Sequence, residues 1–298
     1  MSTDGISRRS FLKTSAAAAA AASLTSAIPA AAEDEGAFEP LPKAVILNML
    51  PSELPLAERF QLAAECGFDG IEAAPMDDLD AAAEQGELAR DAGVPIHSII
   101  YGGWGNPLSH QDESVQEAGV EELRTALRSA EAMGADAVLL VPAVVNANVR
   151  YVEAYERSQR RIREVLPLAE ELGIVIAVEN VWNNFLLSPI EFAQYVDEFE
   201  NPWLRAYFDV GNIVAFGWPE DWIRTLGERI VKVHYKDFIR DGREWVNLTE
   251  GDVNWAEVRQ AFEEVGYTDF VTAEVSGGDQ EHLTDLADRM ERINRGLV

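Results

Sequence analysis

The chain of 298 residues has one cysteine and few basic side chains. The lone Cys66 excludes an internal disulfide framework, and its place at the end of a predicted helix favours a buried thiol. Lys and Arg number 24 against 52 Asp and Glu, which gives a net charge of −28 at pH 7. Because such a surface repels phosphate backbones and no basic patch interrupts it, nucleic acid is excluded as a partner.

The N-terminal segment lacks an apolar run that could serve as an anchor. Its alanine stretch is too short and too weakly apolar to span a bilayer, which excludes a stable membrane anchor there. The basic residues Arg8 and Arg9 precede this stretch, and small residues precede Glu33, which is the build of an export signal. The arginine pair resembles a twin-arginine signal, which is typical of proteins exported already folded. We expect a signal peptide over residues 1–32, cleavage after Ala32, engagement of the export machinery and a periplasmic or extracellular location.

Residues 33–42 are predicted to form a flexible linker, and residues 43–298 a single domain. The domain is close to the length of about 250 residues that is typical of a (β/α) barrel, and 47% of the chain is apolar. Apolar runs alternate with amphipathic segments, several of which end in a glycine stop. The predicted strands cover residues 44–49, 70–74, 95–101, 137–142, 174–178, 205–208, 231–234 and 270–275.

Eight strand–helix repeats favour a closed parallel barrel, because right-handed crossovers then bury both faces of the sheet. The alternative is a doubly wound open sheet, whose sites lie at a switch point between strands. Ligand-type residues at the ends of four successive strands would not surround one cavity in such a sheet. The predicted fold class is therefore α/β, a (β/α)8 TIM barrel.

Metal-ligand side chains end four strand-like runs in the second half of the chain. They are separated by 30, 25 and 40 positions, about one strand–helix unit each. Adjacent parallel strands lie roughly 4.8 Å apart, so these side chains can meet at one point. Three carboxylates and one imidazole favour Mn²⁺, Mg²⁺ or Co²⁺ and tolerate Zn²⁺. The predicted ligands of this single divalent ion are Glu179, Asp209, His234 and Glu274.

Each of these residues also has an ordinary structural interpretation. An acidic residue that closes a strand is commonly a turn or cap residue, which applies to Glu179 and Asp209. His234, between Val233 and Tyr235, is compatible with a hydrogen-bonded core histidine. The coincidence of all four at strand C-termini favours the metal site, because barrel enzymes place their chemistry on that face.

Several short motifs resemble the sugar phosphate isomerase/epimerase family with its xylose isomerase-like barrel. The resemblance covers nearly all of the chain after the signal, and the order of the four ligands is fairly specific for the superfamily. An acidic glycine loop, residues 248–255, resembles the family loop that leads into the next helix. The motifs are Val178-Glu179-Asn180, Phe208-Asp209-Val210-Gly211-Asn212, Val233-His234-Tyr235-Lys236-Asp237 and Thr272-Ala273-Glu274.

The resemblance implies roles for individual residues. The four ligands would hold the metal, and Glu179 and Glu274 would also exchange protons with a substrate carbon from opposite faces. Arg240 matches a substrate-binding arginine of the ketose 3-epimerases in this family. Asn212 stands where those epimerases carry a histidine that contacts the substrate, a departure that bears on substrate identity and not on the metal chemistry.

Other side chains are candidates for substrate contact or support. Trp104 and Trp182 offer flat apolar faces on which sugars stack, although tryptophan is also an ordinary core residue. The remaining substrate-contact candidates are His110, in the long loop after the third strand, Asn184, and Lys236. Lys236 and Asp237 are expected to pair, either to support the site or as a structural salt bridge. A structural role is favoured for Glu72, and a buried, hydrogen-bonded state for His97.

These observations predict a metal-dependent isomerase or epimerase acting on an unphosphorylated sugar or keto-sugar through an enediolate. The chain has no glycine-rich phosphate cradle. Alternatives are a lyase or hydrolase on oxidised sugars and a non-catalytic sugar-binding barrel. An endonuclease IV-like activity is disfavoured, because that branch uses a histidine-rich three-zinc cluster and this chain has four histidines. The expected partner is a small-molecule sugar, and a homo-oligomer is compatible with the sequence.

Overall fold

Eight parallel strands form a closed barrel, which confirms the predicted (β/α)8 fold. The structure is a computed structural model that describes residues 39–298, so the predicted signal peptide and most of the predicted linker lie outside the described residues. The strands in this part of the chain are β1 (Lys43–Ile46), β2 (Gly70–Ala73), β3 (Ile96–Gly102), β4 (Ala137–Leu140), β5 (Val175–Glu179), β6 (Leu204–Asp209), β7 (Ile230–Tyr235), β8 (Asp237–Ile239), β9 (Glu244–Val246) and β10 (Val271–Ala273).

The barrel closes in the order β1-β2-β3-β4-β5-β6-β7-β10, with β10 hydrogen-bonded back to β1. The register between β6 and β7 places Asp209 directly beside His234. Strands β8 and β9 stand apart from the barrel as an antiparallel hairpin. The parallel arrangement brings the carboxyl ends of all eight barrel strands to one face.

Helices connect the barrel strands, and glycine ends several of them as predicted. At the end of the first helix, Gly67 has a φ of 94° and donates its N–H to the carbonyl oxygens of Ala63 and Ala64. This left-handed conformation is inexpensive only for glycine. The helices are α1 (Leu56–Cys66), α2 (Leu79–Asp91), α3 (Glu113–Met133), α4 (Tyr151–Leu172), α5 (Pro189–Asp197), α6 (Val210–Val214), α7 (Pro219–Leu226), α8 (Trp255–Val265) and α9 (Gln280–Asn294).

The barrel interior contains an apolar cluster and a buried lysine. Leu139, Ala177 and Tyr207 form a buried cluster inside the barrel. Lys232, only 2% exposed, lies 2.9 Å from carboxylates of both Asp136 and Asp269, which closely precede β4 and β10. These ion pairs therefore lie at the amino-terminal face of the barrel. The cluster of acidic side chains lies at the opposite face.

Apart from differences of one or two residues at other strand ends, the structure departs from the predicted elements in three places. The first predicted strand ends at Ile46, because Leu47–Met49 forms a 3-10 turn. The β8–β9 hairpin was not predicted, since its strands of three residues are too short for an alternating pattern to be seen. Helix α6 has five residues and was missed for the same reason. Among residues 39–298, no helix combines the length and apolarity needed to cross a bilayer.

Candidate metal centre

Four side chains converge at the carboxyl-terminal mouth of the barrel. Glu179 and Asp209 are the last residues of β5 and β6, His234 is the penultimate residue of β7, and Glu274 directly follows β10. One donor atom from each lies within 4.8 Å of the donor atoms of the other three. The spacing that the sequence predicted thus brings the four together, at the face where barrel enzymes hold their chemistry.

Imidazole Nδ1 of His234 lies close to both glutamates. It is 3.1 Å from Oε1 of Glu179 and 3.1 Å from Oε2 of Glu274. The other ring nitrogen, Nε2, points away from the cluster and lies 2.6 Å from Oε2 of Glu72. A carboxylate that accepts a hydrogen bond from one ring nitrogen leaves the other free as a metal ligand, an arrangement common in metal sites.

Glu72 is held in place by two further hydrogen bonds. The hydroxyls of Ser98 and Tyr207 donate to its Oε1 over 2.8 Å and 3.0 Å. The Tyr207 ring also packs against the His234 imidazole, with 4.5 Å between ring centres. The sequence favoured a structural role for Glu72 over lining the pocket, and the fully buried side chain faces the barrel interior and contacts His234. The signal for this contact that the sequence offered was an acidic residue within an apolar barrel strand.

Asp209 is fixed by the backbone and by Asn180. The side-chain amide of Asn180 donates to the carbonyl oxygen of Asp209, and its own oxygen accepts the Asp209 N–H, over 2.8 Å and 3.0 Å. The carboxylate of Asp209 caps α6 by accepting the N–H of Asn212 over 2.7 Å. These bonds join the ends of β5 and β6 and aim one carboxylate oxygen at the cluster.

Lys236 pairs with the ligand carboxylates and not with Asp237. Its ammonium lies 2.8 Å from Oε2 of Glu274 and 3.5 Å from Oδ2 of Asp209. The expected Lys236–Asp237 pair is therefore wrong. The Asp237 carboxylate accepts hydrogen bonds from the backbone N–H groups of Phe238, Thr249, Gly251 and Val253 and from the Trp255 indole.

The carboxylates at the mouth of the barrel have pKa values that are shifted in different directions. Burial raises the pKa of Asp209 to about 7, and burial also raises the pKa of Glu179. Burial opposes ionisation of Glu274 too, but the charges of His234 and Lys236 outweigh it and hold the pKa of Glu274 below its usual value. Buried carboxylates of this kind are stabilised by a nearby cation. The chemistry of the donor set, three carboxylates and one imidazole, fits a hard divalent ion.

A cleft beside the cluster, which we call the inner cleft, receives several of the predicted contact residues. Its volume is ≈ 320 Å³. Trp104 and Trp182 line it with 52% and 43% of their surfaces exposed, so neither is an ordinary core residue. Asn212, Lys236 and Trp245 also line it, together with Glu179 and Glu274. Trp245 belongs to the unpredicted hairpin and was missed at the sequence level.

Three predicted contact residues lie outside the inner cleft. The Arg240 guanidinium donates to the carbonyl oxygens of Val214 and Gly217 over 2.8 Å and 2.9 Å. Nδ1 of His110 accepts the N–H of Asp112 over 3.0 Å. The Asn184 amide donates to the carbonyl oxygen of Val145 over 3.2 Å. These contacts hold loops at the mouth, and the roles of the three residues toward substrate stay predictions.

His97 and Cys66 occupy the structural positions expected for them. His97 is 5% exposed, and its Nε2 lies 3.0 Å from the hydroxyl of Thr272. Its ring stacks on Phe270 with 4.3 Å between ring centres, and burial lowers its pKa. Cys66 is a buried free thiol. Neither residue belongs to the cluster of ligands.

Comparison with known families gives two matches along the chain. The family described as xylose isomerase-like TIM barrel matches residues 60–295. The twin-arginine translocation signal sequence matches residues 5–25. The second match lies within the segment predicted as a signal peptide, and it indicates export.

Several proteins that resemble this chain are named as sugar epimerases. L-ribulose-5-phosphate 3-epimerase UlaE of Escherichia coli O1:K1 is 27% identical over 246 residues, which cover 76% of this chain and 84% of that protein. A solved D-tagatose 3-epimerase-like protein has a TM-score of 0.72 at 22% identity, covering 87% of this chain and 100% of that one. The 3-keto-D-glucoside 4-epimerase YcjR of E. coli also has a TM-score of 0.72, at 13% identity, covering 85% and 98%. At these identities the solved structures show the shared fold.

Proposed function

Because the chain belongs to the xylose isomerase-like TIM barrel family, we propose that it is a divalent-metal-dependent isomerase or epimerase. The substrate in this proposal is an unphosphorylated sugar or keto-sugar, and the reaction proceeds through an enediolate. The observation that carries the proposal is the convergence of four donor atoms within 4.8 Å beside a cleft. The epimerase names of the relatives agree with it.

Glu179, Asp209, His234 and Glu274 would hold one divalent ion. The oxygen-rich donor set favours Mn²⁺, Mg²⁺ or Co²⁺ and tolerates Zn²⁺. Such an ion supplies Lewis-acid stabilisation of the negative charge that develops on the substrate oxygens. Glu72 fixes the ring orientation of His234, and Asn180 fixes Asp209, so the ligand geometry is set before substrate binds.

In this proposal two glutamates move the substrate proton. Glu179 and Glu274 come from β5 and from the end of β10, and each lies 3.1 Å from Nδ1 of His234. Both line the inner cleft, where they would contact a bound sugar. Removal of a proton by one carboxylate and return of a proton by the other inverts the carbon without moving the sugar. The ammonium of Lys236, 2.8 Å from Glu274, favours the ionised form of that glutamate.

An unphosphorylated substrate is favoured by the loop after β10. Barrel enzymes commonly bind phosphate near the last strands, at a helix N-terminus. Here the Asp279 carboxylate caps α9 by accepting the N–H of His282 over 3.0 Å, and Glu281 lies in the first turn. Two negative charges at this helix N-terminus disfavour a phosphate group. The phosphorylated substrate named for the E. coli relative is therefore not transferred to this chain.

The alternative functions would require different features of the same site. A lyase or hydrolase on oxidised sugars would use the same carbon-acid chemistry, and product analysis distinguishes it. A non-catalytic sugar binder has no use for four converging ligands. An endonuclease IV-like activity conflicts with the net charge of −28 and with the separate hydrogen bonds of His97 and His282.

Export places the proposed enzyme outside the cytoplasm. The twin-arginine signal matched at residues 5–25 is of the kind read on folded proteins. We assign residues 1–32 to the signal peptide, with cleavage after Ala32, residues 33–42 to a flexible linker and residues 43–298 to the barrel. The destination is the periplasm or the exterior. Export in the folded state allows the metal to be loaded inside the cell.

A screen of free sugars and 3-keto-sugars with added Mn²⁺ in D₂O tests the proposal. Proton exchange at a carbon next to the carbonyl, followed by NMR, reports enolisation even when no product accumulates. We expect exchange with at least one unphosphorylated sugar and formation of its epimer or isomer. Binding of sugars with no exchange at any carbon would contradict the proposal and favour the non-catalytic alternative.

A further inference from the structure

A second cleft, which we call the outer cleft, lies next to the inner cleft. Three side chains line both clefts. The volume of the outer cleft is ≈ 400 Å³. The shared wall consists of Lys236, Trp245 and Glu274, which line both clefts. The rest of the lining comes from the end of β9, from the loop after β10 and from α9. These residues are Val246, Asn247, Val275, Ser276 and His282.

The shared wall is made of side chains that stay accessible. Lys236 lies 2.8 Å from Glu274, and its ammonium lies 4.8 Å above the ring centre of Trp245. The side chains of Lys236 and Glu274 are 19% and 30% exposed, and Trp245 is 42% exposed. A ligand that reaches from the inner cleft into the outer cleft would therefore contact these three side chains.

Trp245 forms an aromatic platform with Trp182 at the border of the two clefts. The two rings lie 5.0 Å apart at 32°, and Phe238 supports Trp245 at 4.8 Å. The Arg243 guanidinium lies 5.2 Å from the ring centre of Trp182. Sugar rings present apolar C–H faces that pack on such aromatic surfaces. Asn247 and Ser276 add amide and hydroxyl groups of the kind that bind sugar hydroxyls.

We propose that the outer cleft is a subsite for a second sugar ring, so that the substrate class is a keto-sugar that carries a glycosyl substituent. Each cleft lies within the range of roughly 300–1,000 Å³ that is usual for small-molecule sites. The proposal rests on the proposed function, because the reacting unit is placed at the candidate metal centre. Glu274, which lines both clefts, would contact the reacting unit near its link to the second ring.

Binding of a matched pair of ketoses tests the subsite. D-fructose and isomaltulose differ by one glucosyl unit, and both retain the ketose group. Calorimetric titration of the Mn²⁺-loaded protein should give a Kd for isomaltulose at least about tenfold lower than that for D-fructose. Ser276→Trp, which places an indole in the exposed mouth of the outer cleft, should remove most of this difference.

Control variants separate blockage of the cleft from a general effect of the substitution. Ser52→Trp adds the same side chain at an exposed serine that lines neither cleft, and it should keep the ratio of the two Kd values. Ser276→Ala removes one hydroxyl and leaves the outer cleft open, so it should reduce the difference far less than Ser276→Trp. Equal affinity for the two sugars, or an unchanged ratio in Ser276→Trp, would overturn the subsite. Proton exchange in D₂O is measured in parallel and tests the proposed function separately, because the subsite is decided by the Kd values alone.

Discussion

Glu274 is the most accessible of the four candidate ligands, with 30% of its side chain exposed, while Asp209 and His234 are fully buried. It contacts both His234 and Lys236 and lines both clefts. A carboxylate in this position can reach a bound sugar as well as a metal. The charges of His234 and Lys236 keep the pKa of Glu274 low, so this carboxylate is ionised at neutral pH.

Replacement of this carboxylate by an amide should remove proton transfer and keep the fold. We expect Glu274→Gln to lower kcat by at least about 10²–10⁴-fold, the range lost with a general acid or base. Steady-state kinetics on the sugar found by screening give the measurement, and thermal unfolding checks the fold. Glu65→Gln, at an exposed glutamate on α1, is the matched control. Turnover near that of the wild type would remove Glu274 from the mechanism.

Glu72 acts through His234, and its effect should appear in metal affinity. Glu72→Gln keeps the side-chain shape but removes the negative charge that accepts the hydrogen bond from Nε2. Loss of such a partner commonly lowers metal affinity by about 10–100-fold. Calorimetric titration with Mn²⁺ provides the Kd, and exposed Glu84→Gln on α2 is the control. A Kd within about twofold of the wild type would show that His234 keeps its orientation without this carboxylate.

Individual residues differ in how far the sequence reveals them. The cluster of four candidate ligands was predictable because each residue stands at the end of an apolar run and the runs recur at the barrel period. The contact between Glu72 and His234 was not predictable, because the two residues are 162 positions apart in the chain. Arg240 matched a substrate-binding residue by its distance from His234, yet its guanidinium is bound to two carbonyl oxygens of the neighbouring loop.

At the scale of elements, the loop between β9 and α8 depends on one carboxylate. Asp237 begins β8 and accepts the backbone N–H groups of Thr249, Gly251 and Val253. A Cβ on Gly251 would lie 2.2 Å from Oδ1 of Asp237, so only glycine permits this approach. The acidic glycine loop seen in the sequence is thus a structural support that fixes the hairpin carrying Trp245.

Replacement of Asp237 by asparagine should destabilise this loop. The new side-chain amide would present N–H donors to a backbone that also presents donors, which leaves buried N–H groups without an acceptor. We expect Asp237→Asn to lower the free energy of unfolding by roughly 2–3 kcal/mol and the Tm by about 4–10 °C. Calorimetry gives both values. Asp241→Asn, at an exposed position of the same hairpin, should change the Tm little, and an equal effect of both substitutions would contradict this account.

The elements that sequence reasoning missed share a physical cause. A strand of three residues such as β8 or β9 shows too few alternations to be recognised. The eight barrel strands and their helices were predictable, because each unit combines an apolar run, an amphipathic helix and often a glycine stop. The two clefts could not be predicted, since Trp245 reaches the site only through the unpredicted hairpin.

On the scale of the whole molecule, we expect the export signal to direct the folded barrel out of the cytoplasm before the barrel acts on its substrate. Signals of the twin-arginine type are read by a receptor. We expect Arg8→Lys combined with Arg9→Lys to keep the protein in the cytoplasm in a host with a twin-arginine system. Cell fractionation and immunoblotting provide the measurement. Lys13→Arg preserves charge outside the arginine pair and should allow export, and export of the double variant at the control level would contradict a twin-arginine route.

The central claim is that one divalent ion, bound by three carboxylates and one imidazole, makes the barrel an enzyme. Its most direct test is the rate of substrate proton exchange in D₂O before and after removal of metal by a chelator. We predict that exchange is lost on chelation and returns on addition of one equivalent of Mn²⁺ per chain. An exchange rate that is the same with and without bound metal would contradict the claim.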